Sequence, residues 1–235
     1  MSERFEEGMR KQVKRSLEAN YAAYEALRNG LRPGISEKDA YELVREAVDR
    51  VCGAESHEFI GDFVGGTRTG AIEGPATDLV LKEGDSFICD LSVRRGDVWS
   101  DTCRTFFLGK PTSEQRAAYA AALDVQRLGE RIVRAGVVCE DVKTAAEKLL
   151  AERGLEGHMP HHVGHLVGPK PYMKPAFEAG DRTVLPSGVV CTLEPGIYFE
   201  GAWGLRVEND YAVTADGLEN LFDYPRDIEY FEIGV

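Results

Sequence analysis

The feature that most constrains the fold is a repeat that relates the two halves of the chain. Arg32-Pro33-Gly34-Ile35 begins a predicted helix, and Cys89-Asp90-Leu91 follows in a predicted strand. Arg134-Ala135-Gly136-Val137 and Cys191-Thr192-Leu193 occupy the equivalent places in the second half, at the same offset. A repeat of this size indicates one structural unit used twice. We therefore predict an α+β fold of two lobes related by a pseudo-two-fold axis, with a curved antiparallel sheet backed by helices.

Apolar periodicity predicts the elements of each lobe. A spacing of three to four residues indicates helices over about 3–28, 36–52, 113–135 and 141–153. Apolar runs between turn residues indicate strands over about 57–65, 86–93, 98–108, 189–199 and 205–213. The glycine-rich stretch after residue 65 and the proline-rich stretch 169–186 are predicted to be loops. These elements fit one domain over residues 1–235, with lobes of about 1–110 and 111–235.

Charge and composition exclude several classes of protein. The formal net charge is −12 and the basic residues form no cluster, which argues against a nucleic-acid partner. No apolar run approaches the length of a membrane span, and the N-terminus has no apolar signal core. The five cysteines include no CxxC spacing and are predicted to be reduced thiols. We therefore expect a cytoplasmic protein without nucleic-acid or membrane partners.

Four carboxylates and one imidazole form the candidate site. Asp90 and Asp101 lie on the two arms of the first predicted hairpin, and Glu194 and Glu208 lie on the two arms of the last. The pseudo-two-fold axis would bring both hairpins together beside His165. Converging carboxylates need cations or water, because bare buried anions are costly. A carboxylate-rich set with one imidazole suits two ions of Mn(II), Fe(II), Co(II) or Zn(II), and such a pair predicts hydrolase chemistry.

Four short sequences carry a resemblance to a known family. They are Ser100-Asp101-Thr102-Cys103-Arg104-Thr105-Phe106, Gly164-His165, Leu193-Glu194-Pro195-Gly196-Ile197-Tyr198 and Arg206-Val207-Glu208-Asn209. In these segments the chain resembles the superfamily of methionine aminopeptidase, prolidase and creatinase, and most of all its proline-peptidase branch. The resemblance covers nearly the whole chain from Gly34 onward. It implies the pita-bread fold of that superfamily and a dinuclear metal site.

The resemblance also implies a role for individual residues. The implied metal ligands are Asp90, Asp101, His165, Glu194 and Glu208. Asp101 and Glu208 would bridge the two ions, and Glu194 would also transfer protons as a catalytic residue. His161 resembles a family position that lines the site and would share in catalysis. Arg206 resembles an arginine that pairs with the site carboxylates and would orient them.

Two positions depart from the family pattern. Members of the family normally carry a histidine in the loop before the first metal-binding strand, where this chain has Glu73, and another seven residues after the ligand histidine, where it has Tyr172. Those imidazoles usually hold the substrate carbonyl. Tyr172 is expected to donate a hydrogen bond to an oxyanion or to pack, and Glu73 to bind a cationic substrate group or to be solvated. His158 and His162 are interpreted as structural or exposed.

The leading interpretation is a metallohydrolase resembling an Xaa-Pro aminopeptidase or dipeptidase, acting on a small peptide or amide. One alternative is a non-peptide hydrolase or lyase on the same metal site, which the two missing imidazoles fit equally well. Another is a catalytically silent binding module, which has no need of five converging ligands. The chain begins at the catalytic domain, so loops or a partner subunit, as in a homodimer, are expected to restrict the substrate.

Overall fold

The structure is a computed structural model that describes residues 3–234, with side chains from residue 7 onward. Its α-helices are α1 (Glu3–Gly30), α2 (Glu37–Cys52), α3 (Ser113–Ile132) and α4 (Cys139–Glu152), all at predicted positions. Short 3-10 helices lie at Gly66–Ala71 and Ile228–Phe231, so the prediction that the glycine-rich stretch after residue 65 is a loop is wrong over 66–71. Ser36 caps α2 and Thr112 caps α3, each in a capping box with the residue three positions later. No helix among residues 3–234 is long and apolar enough to cross a membrane. The five cysteines are buried and free.

The strands form three sheets. The strands are β1 (His57–Gly65), β2 (Ser86–Arg95), β3 (Val98–Leu108), β4 (His165–Val167), β5 (Met173–Ala176), β6 (Val190–Leu193), β7 (Gly196–Phe199), β8 (Trp203–Arg206), β9 (Asn209–Val213), β10 (Leu218–Asn220) and β11 (Glu232–Ile233). Their orders are β1-β2-β3-β11, β10-β9-β6-β4-β5 and β7-β8. Strand β11 runs parallel to β3, and the other pairings of the described chain are antiparallel. The last strand therefore returns from the second lobe to the first sheet.

The two halves repeat the same turn before their second helix. The Gly34 N–H donates to the Leu81 carbonyl at 2.8 Å, and the Gly136 N–H donates to the Leu185 carbonyl at 2.8 Å. Both glycines have a positive φ, +97° and +91°, a conformation that a side chain disfavours. The α+β class and the two pseudo-two-fold lobes are confirmed. That residues 1–235 form one domain, with lobes of about 1–110 and 111–235, stays a prediction.

The last two predicted strands are each broken, and the breaks carry the site. The prediction of continuous strands over 189–199 and 205–213 is wrong, because β6 gives way to β7 and β8 gives way to β9 in a different sheet. Pro195 has no N–H to continue a ladder, and its carbonyl accepts from the Val207 N–H at 3.2 Å. Glu194 and Glu208 consequently lie where the chain passes from one sheet to the next.

The proline-rich stretch 169–186 is not all loop, contrary to the prediction. Its residues 173–176 form β5, which pairs with β4 at the edge of the five-stranded sheet. An edge strand tolerates Pro175 because one side of the strand has no ladder partner to satisfy. This strand places Tyr172 next to His165 at the start of β4.

Candidate metal centre

The register of the first hairpin brings Asp90 and Asp101 to the same face of the sheet. Asp90 pairs with Cys103, and Ser92 pairs with Asp101. Since alternate residues of a strand share a face, these four side chains point to one side. Strand β1 extends the row, because Asp62 pairs with Asp90. The sequence had identified only the two aspartates of β2 and β3.

A short backbone bridge joins this face to the second lobe. The Glu208 N–H donates to the Cys103 carbonyl at 3.0 Å, and the Cys103 N–H donates to the Glu208 carbonyl at 3.4 Å. Arg104 is fully buried, and its guanidinium donates to the Glu208 carbonyl at 2.7 Å. Glu208 is therefore held against the strand that carries Asp101.

Four of the five predicted ligands meet at this junction. One donor atom from each of Asp101, His165 and Glu208 lies within 4.8 Å of the other two. The His165 Nε2 is 3.6 Å from Asp101 Oδ2 and 3.2 Å from Glu194 Oε1. Thr192 orders this group, since its hydroxyl accepts from the His165 N–H and donates to Glu194 Oε1, both at 3.2 Å.

The fifth predicted ligand, Asp90, pairs with Arg206. The Arg206 Nη2 lies 2.8 Å from Asp90 Oδ2 and 2.9 Å from Asp62 Oδ2. Its Nη1 donates to the Tyr198 hydroxyl at 3.1 Å. Arg206 is 4% exposed, so it is a buried cation paired with two carboxylates. Asp62 was missed by sequence reasoning, although it also accepts from the Gly74 N–H at 3.0 Å.

Burial dominates the electrostatics of the carboxylates. Burial raises the pKa of Asp101 and Glu208 well above the ordinary range, and neighbouring carboxylates add to the effect. Burial also raises the pKa of Asp90, but Arg206 limits that rise to about 6. Glu194 is the exception, because His165 and His162 outweigh its burial and hold its pKa well below the usual value. Burial lowers the pKa of His165, yet Glu194 and Asp101 raise it overall to about 9.

The donor set fits divalent cations. Glu208 is 1% exposed, and neither of its carboxylate oxygens has a hydrogen-bond partner among the described residues. A bare buried carboxylate is costly, and so is the repulsion from neighbouring acids. Divalent ions bound between the carboxylates and His165 would remove both penalties. Oxygen donors with few nitrogens suit Mn(II), Fe(II), Co(II) and Zn(II).

His161 is near the site, but both of its nitrogens are engaged. The Nδ1 lies 2.7 Å from the His162 carbonyl, so it carries the proton in the tautomer we infer, and Nε2 accepts from the Tyr198 hydroxyl at 3.2 Å. Burial lowers the pKa of His161 to about 4, which keeps the ring neutral at pH 7. The ring of His158, which was interpreted as structural or exposed, packs on Phe199 with centroids 4.2 Å apart.

Three other singled-out residues lie around the centre. Tyr172 is 43% exposed, and its ring centroid is 4.7 Å from that of His165 and 5.5 Å from that of His162. Glu73 is exposed on the loop beside Ile72, whose carbonyl accepts from Arg206 at 3.4 Å. His162, interpreted as structural or exposed, is partly buried, and its Nε2 lies 2.9 Å from Glu194 Oε1.

Comparison with known proteins decides the family. Residues 11–215 match the model of metallopeptidase family M24. The chain belongs to this family. It is similar to the probable dipeptidase PepE of Mycobacterium tuberculosis, with 33% identity over 84% of this chain and 52% of that protein. It is also similar to the Xaa-Pro dipeptidase of Pyrococcus furiosus, with 30% identity over 88% of this chain and 58% of that protein.

Solved structures of M24 proteins share the fold. The X-Pro aminopeptidase of Thermotoga maritima matches with a TM-score of 0.91 and 29% identity, over 97% of this chain and 63% of that one. The prolidase of Pyrococcus furiosus matches with a TM-score of 0.87 and 27% identity, over 93% of this chain and 64% of that one. The pita-bread fold implied by the sequence is thereby confirmed. The chain spans about half the length of the curated relatives it matches.

Proposed function

We propose that this M24 chain is a metal-dependent hydrolase that cleaves a peptide or small amide bond, with Xaa-Pro dipeptides as the first substrates to test. The observation that carries the proposal is the buried Glu208 carboxylate, which has no partner among the described residues and faces Asp101 and His165. Membership of a metallopeptidase family and similarity to proteins named Xaa-Pro dipeptidase support the choice of reaction.

The ions would be held by the five predicted ligands, which are Asp90, Asp101, His165, Glu194 and Glu208. We propose two ions of Mn(II), Co(II), Fe(II) or Zn(II), with Asp101 and Glu208 shared between them. Bound at this centre, such ions activate water near neutral pH and polarise a scissile carbonyl.

The side chains of the centre supply proton transfer and orientation. Glu194 is a carboxylate within the ligand group, and in our proposal it accepts a proton and returns it to the leaving amine. The Thr192 hydroxyl occupies Glu194 Oε1 and fixes the rotamer of the carboxylate. Arg206 engages Asp90 Oδ2 and leaves Oδ1 of that carboxylate free of this ion pair. Glu194 is the catalytic residue we propose, and Arg206 is a positioning residue.

His161 is a weaker candidate for direct catalysis. We expected it to share in the reaction, but its Nε2 faces the Tyr198 hydroxyl and its Nδ1 faces a carbonyl. Contact with substrate would require one of these bonds to break. We propose instead that His161 positions Tyr198, which also receives a hydrogen bond from Arg206.

A second candidate function follows from the two substituted positions. Glu73 and Tyr172 stand where the family pattern has imidazoles, and a non-peptide hydrolase or lyase would not need those imidazoles to hold a peptide carbonyl. Tyr172 lies over His165 and offers a phenol to a developing oxyanion, and Glu73 is free to meet a cationic group. A silent binding module fits less well, because it does not explain why the buried Glu208 carboxyl group has no partner among the described residues.

The test is an activity screen after removal and return of metal. Purified protein is stripped with a chelator, reconstituted separately with Mn(II), Co(II), Fe(II) and Zn(II), and assayed with Xaa-Pro dipeptides, peptides with an N-terminal Met and small cyclic amides. Turnover of a dipeptide supports the leading function, and turnover of cyclic amides alone supports the second. Failure to bind any of the four metals would refute both.

The catalytic assignment has its own variant. Glu194→Gln keeps the size of the side chain and removes its basicity, so we expect turnover to fall at least about 100-fold. Glu200→Gln is the matched control, because Glu200 is exposed in the turn between β7 and β8. Activity of Glu194→Gln equal to that of the control would refute the role of Glu194.

Two further properties remain proposals. We place the protein in the cytoplasm, where its five buried free cysteines would stay reduced. The net charge of −12 argues against nucleic acid, and a homodimer stays a prediction.

A further inference from the structure

Two histidines converge on one oxygen of Glu194. The Nε2 of His162 lies 2.9 Å and the Nε2 of His165 lies 3.2 Å from Glu194 Oε1. The three donor atoms all lie within 4.8 Å of one another. The pattern shared with the family accounts for His165 and Glu194 but not for His162.

These spacings match those of ligands around a single ion. With metal–ligand bonds of about 2.0–2.1 Å, neighbouring donors stand about 3.3 Å apart in a tetrahedron and about 3.0 Å apart in an octahedron. The observed separations from Glu194 fall at these values. A donor set of two imidazoles and one carboxylate is a recurrent set for Zn(II) and for non-haem Fe(II).

The backbone around His162 is fixed independently of any ion. The Lys143 ammonium, from α4, donates to the carbonyls of Met159 at 3.1 Å and His161 at 2.7 Å. On the other side, the Val163 N–H donates to the Phe177 carbonyl at 2.9 Å. The turn that carries His162 is therefore anchored on both flanks.

Packing also holds the two imidazoles in place. The His162 and His165 rings meet edge to face with centroids 5.3 Å apart, and the Tyr172 ring covers both. His162 is partly buried, with 22% of its side chain exposed. Its approach to Glu194 is thus part of a packed arrangement of three rings.

We propose that His162 is a sixth metal ligand, which forms a two-histidine, one-carboxylate set with His165 and Glu194. This inference rests on the proposed metal-dependent function. The two ion positions would then differ, because His162 and His165 give one of them two nitrogen donors, whereas the other would have carboxylate donors only. Imidazole favours Zn(II), Co(II) and Fe(II) over Mn(II), so His162 makes the position it shares with His165 and Glu194 selective against manganese.

The experiment measures metal affinity and metal selectivity. Metal-free protein is titrated with Zn(II) and with Mn(II) by competition against a chromophoric chelator, and the visible spectrum of the Co(II) form is recorded. Three variants are compared with the unaltered protein: His162→Ala, His162→Gln and His57→Ala. Gln can still donate a hydrogen bond to Glu194 but supplies no imidazole. His57, at the start of β1, pairs with Asp49 of α2, outside the centre.

We expect both His162 variants to lose at least about tenfold in affinity for the first Zn(II) and less than about threefold for Mn(II). The Co(II) spectrum should change in both, imidazole added to His162→Ala should restore it, and His57→Ala should match the unaltered protein. The proposal would be overturned, with the metal-dependent function left intact, by equal losses of affinity for Zn(II) and Mn(II) or by unaltered affinities. A Zn(II) affinity of His162→Gln equal to that of the unaltered protein would overturn it in the same way. Failure of the unaltered protein to bind either ion would overturn both.

Discussion

Replacement of Arg206 by methionine tests whether the centre depends on one buried cation. Arg206 is 4% exposed and pairs with Asp62 and Asp90 at 2.9 and 2.8 Å. Removing one partner of a buried ion pair costs about 3–5 kcal/mol, because the other partner keeps its desolvation penalty. Asp62 and Asp90 retain side-chain exposures of 24% and 16%, which places the expected loss near the lower limit, at about 3 kcal/mol.

The loss should grow with pH. Burial raises the pKa of Asp90 to about 6 even though Arg206 opposes it, so Arg206→Met should raise that pKa further. A carboxyl whose pKa is raised in the folded state is stabilising when protonated, and its contribution is lost as the pH rises through the folded pKa. At pH 5 Asp90 is largely neutral in both proteins, so the part of the loss that comes from Asp90 is small. At pH 8 only the unaltered protein has a cation to pair with the ionised form.

The assay is urea denaturation of the metal-free proteins at pH 5 and pH 8, with the free energy of unfolding as the readout. Arg94→Met is the matched control, since Arg94 pairs with Glu58 on the same sheet at 2.8 Å with side-chain exposures of 31% and 53%. An exposed pair of this kind contributes up to about 1 kcal/mol. If Arg206→Met costs no more than Arg94→Met at pH 8, or costs less at pH 8 than at pH 5, the reasoning is wrong.

Three other predictions concern the same centre. Burial lowers the pKa of His161 from 6.5 to about 4, so the neutral ring contributes to the stability of the fold above pH 6.5, and this contribution is lost as the pH falls toward 4. Because Gln does not titrate, His161→Gln should reduce the acid-induced loss of unfolding free energy by about 3 kcal/mol, as measured by urea denaturation across this pH range. An unchanged pH profile would contradict this prediction. Gly164→Ala places a Cβ 2.1 Å from the Thr192 carbonyl oxygen and should lower the unfolding free energy by about 1–3 kcal/mol in the same assay. The control Gly8→Ala meets nothing within 4 Å and should be neutral or stabilising. Equal effects of the two variants would show that the backbone at Gly164 does not approach Thr192 this closely. Metal at 100 times its Kd should stabilise the folded state by about 2.7 kcal/mol, which would be measured as a rise in melting temperature that a chelator reverses. Glu208→Gln should reduce this rise, and an identical rise in the variant would exclude Glu208 as a ligand.

Much of the fold and of the site could be predicted because local signals were strong. Ser36 and Thr112 open the helices with capping boxes, and the apolar periods are long enough to identify all four helices. The spacing of Asp90 and Asp101 around a turn also determines their common face, since the hairpin register follows from the short connection. The repeat then predicted that a second pair of carboxylates would meet the first.

The remainder depended on contacts between distant segments. Asp62 faces the site only because β1 pairs with β2 in one particular register, and about 20 residues separate these strands, so no turn defines that register. His161 and His162 are adjacent, and sequence alone does not show which ring turns toward Glu194. Strand β5 forms around Pro175 because a neighbouring strand supplies its ladder. The local absence of a period could not reveal that partner.

The two backbone hydrogen bonds between Cys103 and Glu208 connect the lobes at the point where the ligands meet. Asp101 lies two residues before one end of this bridge, and Glu208 is the other end. Any opening of the lobes would break the bridge and separate those two carboxylates in the same movement. Release of metal and parting of the lobes should therefore form one cooperative unit, with exchange of the Glu208 amide hydrogen slowed in proportion to metal occupancy.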